Sequence, residues 1–372
     1  MTLYEHAQGR DNNFNLIRFM AAFTVLAVHC QPLLGLPPLT GPIAWFGGSA
    51  VGVFFLTSGF LITSSLMSRK NVIEFAWARS LRIFPGLWAM LLITVVGLGL
   101  LVGKLPASEF FSSPITQDYF TRCATLVNNV RFTLPGLFED NPYKSVVNGS
   151  LWTLPIEWRL YEYLAAGWVL LALKPEWRLW TFRLGVPALA LLFFAKTYQE
   201  HEILAVRFDT SMSIFMFLYG ATLYLWRRFI ELSPTRFVLL AAGLFLASFV
   251  PRLFFIVYLL VLPPLTLHFA YLFGGIIRNF NRLGDYSYGL YIYAMPIQQT
   301  LVSFFPNLSI LQLIVASFVL TLTCAVASWH LLEKRALAHK SDFAAATMRL
   351  FDHWRDRFAL LRAGWSIETR IP

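Results

Sequence analysis

Two ionisable residues stand inside the first long apolar stretch of the chain, Asn15 to Leu34: Arg18 and His29. A charge near the middle of a bilayer costs roughly 2.5–3.5 kcal/mol on insertion scales, so such groups are suspects for function. Eleven positions separate them, three helical turns plus about 20°, which puts both on one helix face about 16 Å apart along the axis. A cation near one membrane surface and an imidazole deeper on the same stripe could grip an anion and handle a proton further in. An arginine snorkelling to headgroups and a histidine bonded to a neighbouring helix fit the same spacing.

The next deep ionisable group is Glu157, in GSLWTLPIEWRLYEYL. For a helix starting near Ser150 and running inward, Glu157 lies about 10 Å below the outer surface, and His29 lies about 8 Å below it. A carboxylate beside an imidazole fixes its tautomer and raises its basicity, as a general base requires. Matching depths therefore pair Glu157 with His29. A Glu157–Arg159 surface pair is disfavoured, because residues two apart do not face each other on a helix.

Arg79 and Arg82 follow SRKNVIEFAWA on the inner side and share a face if that segment is helical. With Arg18 at the same surface they form a cationic cluster, and guanidinium forks suit phosphate. Basic residues that merely flank spans on the cytoplasmic side have the same look. Arginines inside, with a His–Glu pair roughly 16 Å further out, suit a long donor with a phosphorylated head and a reactive tip. Coenzyme A thioesters have that shape.

The elements that must hold these residues are membrane helices. Of 372 residues, 57% are hydrophobic and only 13% charged, against about 25% charged in soluble domains. Apolar runs of spanning length predict ten helices, near 15–34, 44–66, 82–102, 150–172, 180–196, 211–226, 236–250, 253–275, 286–304 and 310–332. Pro251-Arg252 separates the seventh from the eighth. Lys and Arg are about threefold more frequent on the segments that ten spans place with the N-terminus, so both termini are expected in the cytoplasm. The net charge of +10 therefore reads as membrane sidedness and not as nucleic-acid binding. Cys30, Cys123 and Cys324 show no metal spacing, and adjacent Cys30 and His29 point about 100° apart on a helix. His268 and His330 read as packed, hydrogen-bonded histidines.

Two segments outside the spans stand out. The outer stretch Gly103 to Gly149 is too long for a plain connector and is placed to cap or line a site. Beyond a membrane domain over residues 1–334, the tail 335–372 carries Phe343, Thr347, Leu350, Trp354, Phe358 and Leu361 at helical spacing, with Arg349, Arg355, Arg357 and Arg362 elsewhere. It reads as a basic amphipathic helix on the inner leaflet, an anchor to membrane lipids.

Six segments in order resemble the acyltransferase-3 family of polytopic membrane O-acyltransferases, over Asn15 to Lys334. They are Arg18 with ten residues to His29, FFLTSGFLI (Phe54 to Ile62), the Arg79-Ser80-Leu81-Arg82 pair, SLWTLPIEWRLY with Glu157, LGDYSYGLYIY (Leu283 to Tyr293) and SWHLLEK (Ser328 to Lys334). Two positions depart from the family pattern: Ala294 stands where histidine is frequent, and Arg335 where proline is. The resemblance implies an all-α bundle in the plasma (inner) membrane of a bacterium, without an appended extracytoplasmic domain. It implies acetyl-CoA or a related acyl-CoA as donor from the cytoplasm, and a hydroxyl of a cell-surface polysaccharide or lipid-linked sugar as acceptor. It also implies His29 as general base, Glu157 or another polar neighbour orienting it, and Arg18, Arg79 and Arg82 holding the donor. No metal is called for, and self-association stays open. A secondary transporter for a glycan or organic anion is the rival, but repeated halves and broken midplane helices are not evident. A scaffold for polysaccharide assembly is the third reading.

Overall fold

The computed structural model describes residues 1–9, 11–39, 45–69, 71–171, 175–200 and 209–368. Arg10, Lys70, Lys174 and Arg207 of the charge count, and the side chains of Phe358, Leu361 and Arg362 of the tail stripe, lie outside what is described. Among the described residues the regular structure is helical, and no strand forms. Ten of these helices overlap the apolar runs. They are α1 (Phe14–Leu33), α2 (Trp45–Ser68), α3 (Val72–Leu92), α4 (Thr153–Leu170), α5 (Pro175–Glu200), α6 (Thr210–Leu225), α7 (Pro234–Ala247), α8 (Pro251–Leu272), α9 (Ser287–Phe304) and α10 (Ile310–Ser328). The tail forms α11 (Lys340–Glu368).

Six helices among the described residues are long and apolar enough to cross a bilayer: α1, α2, α3 with its extension to Leu101, α5, α8 and α10. Helices α6 and α7 are apolar but shorter. Helix α4 carries Glu157, Arg159 and Glu162, and α9 carries buried Tyr288, Tyr291, Gln298 and Gln299. The reason is location: α9 is walled by protein along most of its length, so it need not be apolar to be stable there. The break at Pro251 is as predicted, with α7 ending at Ala247 and Pro251 opening α8, where a missing N–H costs nothing.

Helix α3 starts ten residues before the predicted span and extends past Leu92 through a π-helical stretch, Ile93–Leu98. Arg79 and Arg82 are therefore helical. Asn71 caps the helix by accepting from the Glu74 N–H at 2.7 Å. Helices α2 and α6 touch backbone to backbone: a Cβ on Gly59 would lie 1.9 Å from the Phe217 carbonyl oxygen, and one on Gly220 2.1 Å from that of Leu56. Only glycine permits that approach.

The outer segment does not stay outside. From Asn141 onward it descends along α9. The Asn141 amide donates to the Gln299 carbonyl (2.9 Å) and side chain (2.7 Å), and Gln299 donates back to the carbonyls of Tyr143 and Val146. Asn148 then donates to the Ile292 carbonyl at 2.8 Å, and Tyr291 OH to the Ser150 carbonyl at 2.8 Å. From Gln299 to Tyr291 is eight residues, about 12 Å of descent. Val147, Asn148 and Leu151 are completely buried, and a short 3-10 turn, Gly149–Trp152, delivers the chain into α4.

The tail helix packs on the first turns of α3. The Phe343 ring stacks on Trp77 with centroids 4.8 Å apart, and Trp77 Nε1 donates to Thr347 Oγ1 at 2.9 Å. The front of the apolar stripe thus rests on α3 with one side of the Phe343 ring still exposed, and Leu350 and Trp354 are exposed too.

Candidate active site

The α4 register decides where Glu157 sits. Because the chain is already deep when α4 begins, Glu157 lies at the level of Ser58, halfway along α2, and accepts a hydrogen bond from its hydroxyl at 2.6 Å. The Tyr161 hydroxyl, one turn on, donates to the same carboxylate oxygen. Glu157 lines a cleft with Arg18, Val51, Phe54, Phe55, Thr153, Leu154, Tyr288 and Tyr291. The cleft is narrow, with a cavity volume of about 30 Å³. The Arg18 guanidinium lies over the Phe54 ring, 5.8 Å from its centroid. Thr153 and Tyr291 share a hydrogen bond of 2.9 Å in its wall.

His29 does not line this cleft. It sits on α1 eleven residues beyond Arg18, so about 16 Å nearer the outer face. The depth match between Glu157 and His29 therefore does not hold, and the correction has a plain cause. Hydropathy alone starts α4 at the membrane surface, and the buried descent of residues 141–152 starts it well inside. His29 is partly buried, and its Nδ1 is enclosed without a hydrogen-bond partner among the described residues. Beside it, Cys30 is fully buried, accepts from Gln298 Nε2 at 3.0 Å and faces away as packing. His268 is buried and bonds the Pro264 carbonyl at 2.7 Å, as a packed histidine should, whereas His330 is exposed and bonds the Tyr286 hydroxyl at 3.1 Å.

The three arginines are close enough for their charges to interact, but they stand in different states. Arg82 donates to Glu333 at 2.7 Å and to Asp285, with Tyr288 and Trp329 rings 5.4 and 5.5 Å from its guanidinium carbon. Ser328 donates to Glu333 at 2.9 Å and Ser287 to Asp285 at 2.5 Å, so both carboxylates are further satisfied. In the turn before α9, burial pushes the Asp285 carboxyl up, but Arg82, Arg18 and the Ser287 hydrogen bonds outweigh it and hold the group at about 2. Arg18 and Arg79 have no hydrogen bond or ion pair among the described residues, and the Nε of each is buried and unpartnered. Arg79 lines a second groove of about 310 Å³ between α3 and α4, with Trp158, Tyr161 and Glu162. Tyr161 is the partition: it walls that groove and bonds Glu157, which walls the cleft.

An enclosed guanidinium N–H without a partner carries a desolvation cost. Two half-buried arginines of this kind, in neighbouring cavities separated by Tyr161, suit an anion. Comparison with known proteins bears on which chemistry the anion serves. Residues 11–330 match the acyltransferase-3 family model, described as an acyltransferase domain. The chain belongs to the acyltransferase-3 family. It is similar to the O-acetyl transferase of Shigella phage Sf6, 28% identical over 355 residues covering 89% of this chain and 98% of the relative. It is also similar to nodulation protein 10 of Rhizobium leguminosarum bv. viciae, 30% identical over 367 residues covering 92% and 97%. No solved structure matches the chain. As a member of the acyltransferase-3 family with apolar spanning helices, the protein is a multi-pass membrane protein, and these relatives support an O-acyltransferase.

Several site residues escaped the sequence reading. Tyr161 stands four residues after Glu157, the spacing of helical neighbours, and was the most readable of them. Asp285 and Glu333 lie within quoted motifs but 203 and 251 positions from Arg82, and nothing local in the sequence announces such a pairing. Ser58 carries no signal beyond its place in a motif.

Proposed function

We propose that the protein moves an acetyl group from cytoplasmic acetyl-CoA to a hydroxyl of a cell-surface polysaccharide or lipid-linked sugar. It does so in a bacterial plasma membrane, through ten spans with both termini inside. The observation that carries the reading is the pair of half-buried arginines, Arg18 and Arg79, each with an enclosed and unpartnered Nε, on either side of the Glu157–Tyr161 contact. On this reading they hold the donor's phosphates. Arg82, whose charge is met by two carboxylates, holds helices together.

His29 is the base. It takes the acceptor hydroxyl's proton as the oxygen attacks the thioester carbonyl; the carbon–sulfur bond breaks, and the leaving thiolate takes a proton to give free CoA. Glu157 works on the donor's side of this path. With both hydroxyl donors on one carboxylate oxygen, the other is left to accept from an amide N–H of the donor's arm. The alternative route, an acyl group carried on His29 itself, leaves a labelled protein when acetyl-CoA is mixed without acceptor.

The test is acetyl-CoA consumption by purified protein with an extracted glycan acceptor, following free CoA and glycan mass together. The expected result is equal release of CoA and gain of acetyl, abolished by His29→Ala with CoA affinity retained. Protein that leaves acetyl-CoA untouched with every acceptor fraction overturns the reading.

A further inference from the structure

The tail helix α11 lies beyond the residues that match the family, 11–330, yet it is built against the helix that carries Arg79. We propose that it is a positioning element for the donor site, acting through Trp77. The proposal rests on the donor reading above.

Trp77 and Arg79 are two residues apart on α3, about 200° round the helix. One therefore points to the back of α3 and the other to the front. At the back, the indole stacks on Phe343 and donates to Thr347, while Ala344 is almost completely buried beside them. A turn and a half earlier, Asn71 caps α3 and also donates to Met348 Sδ at 3.4 Å. The first turns of α3 are thus held at two points by one face of α11. At the front, Arg79 has no bond of its own to fix it: its Nε is enclosed and unpartnered, against Tyr161 and Trp158 in the α3–α4 groove.

An arginine without a partner takes its position from its backbone. The backbone here is the first turns of a helix, where fraying is cheapest unless something packs on it. The root of the tail is fixed as well, because Glu333, immediately before the short helix Lys334–Ala338, bonds Arg82 on the same α3. Tail and donor helix therefore move as one body, and what the tail sets is the reach of Arg79 toward the anion. Binding suffers from such a misplacement and the chemical step at His29 does not.

The test uses the full-length chain and steady-state kinetics with varied acetyl-CoA. Phe343→Ala combined with Thr347→Ala is expected to raise KM for acetyl-CoA about tenfold while kcat stays within about twofold. Phe343→Tyr, which keeps the stacked ring, restores KM; Leu350→Ala, on an exposed part of the same helix, leaves it unchanged. Hydrogen exchange is read in parallel at residues 72–82, where the double variant should exchange faster. An unchanged KM, or a fall in kcat at constant KM, overturns the proposal. Should wild-type protein turn over no acyl-CoA, the reading of the reaction fails. The exchange data then still decide the brace: faster exchange upholds it and unchanged exchange sinks it.

Discussion

Arg79 and Arg82 share a helix face and a sequence motif, yet their surroundings give them opposite uses. Replacing Arg79 with Ala removes a cation that has no protein partner, so the fold should tolerate it while CoA affinity, measured calorimetrically, falls tenfold or more, about 1.4 kcal/mol. Replacing Arg82 with Ala strands Asp285 and Glu333 as buried carboxylates, a loss of about 3–5 kcal/mol that should appear as a lowered melting temperature before any titration is run. Equal melting temperatures and equal losses of CoA affinity in the two variants would return Arg82 to the donor site. Asp285 supplies a second handle. Its carboxyl is held at about 2 in the folded protein against an ordinary value near 3.9. The folded state thus binds fewer protons than the unfolded one in between. The stabilisation is complete above the ordinary value and is lost as pH falls through about 2, on the order of 2 kcal/mol in all. Melting in detergent should drop from pH 5 toward pH 3 in the wild type. In Asp285→Asn, already lower at pH 6, the same range should be flatter; an identical slope in both would remove Asp285 as the source.

Helix positions were legible because hydropathy alone specifies them. Each of the ten principal helices overlaps its predicted span, and the prolines at 234 and 251 open theirs. What was not legible is how the stretch before α4 runs. Residues 141–149 look like part of a polar outer segment, but Asn141 and Asn148 are polar because they hydrogen-bond the α9 backbone inside the bundle. Sequence cannot separate an asparagine that faces water from one that pairs with a buried carbonyl, and that ambiguity misplaced Glu157 by about three helical turns relative to His29. The same bonds make a prediction for this element. Asn148→Ala leaves the buried Ile292 carbonyl without the amide it now accepts from, a loss of about 1–3 kcal/mol, and it loosens the turn that sets the α4 register. Melting temperature should fall by a few degrees, and CoA affinity should fall with it because Glu157 and Tyr161 lose their fixed depth. A variant with wild-type affinity would mean that α4 is held by its neighbours and not by the descending segment.

At the scale of the molecule, the reading stands on sidedness. Arg79, the tail that packs behind it and the Lys334-Arg335 pair gather at one end of the bundle, and the proposed topology puts that end, rich in basic residues, in the cytoplasm. On that topology residues 103–140 lie outside, where an acceptor sugar would arrive, and His29 lies on the α1 face between the two. Cys30 and Cys123 are buried and Cys324 is partly so; replacing all three gives a background for single reporters. Glu109→Cys, on the exposed outer segment, should react with a membrane-impermeant maleimide on intact cells. His353→Cys, on the exposed surface of α11, should react only after the membrane is opened. The reverse pattern would put the two free guanidinia on the side of the membrane where no coenzyme A is found. They would then need another anion, and His29 another reaction.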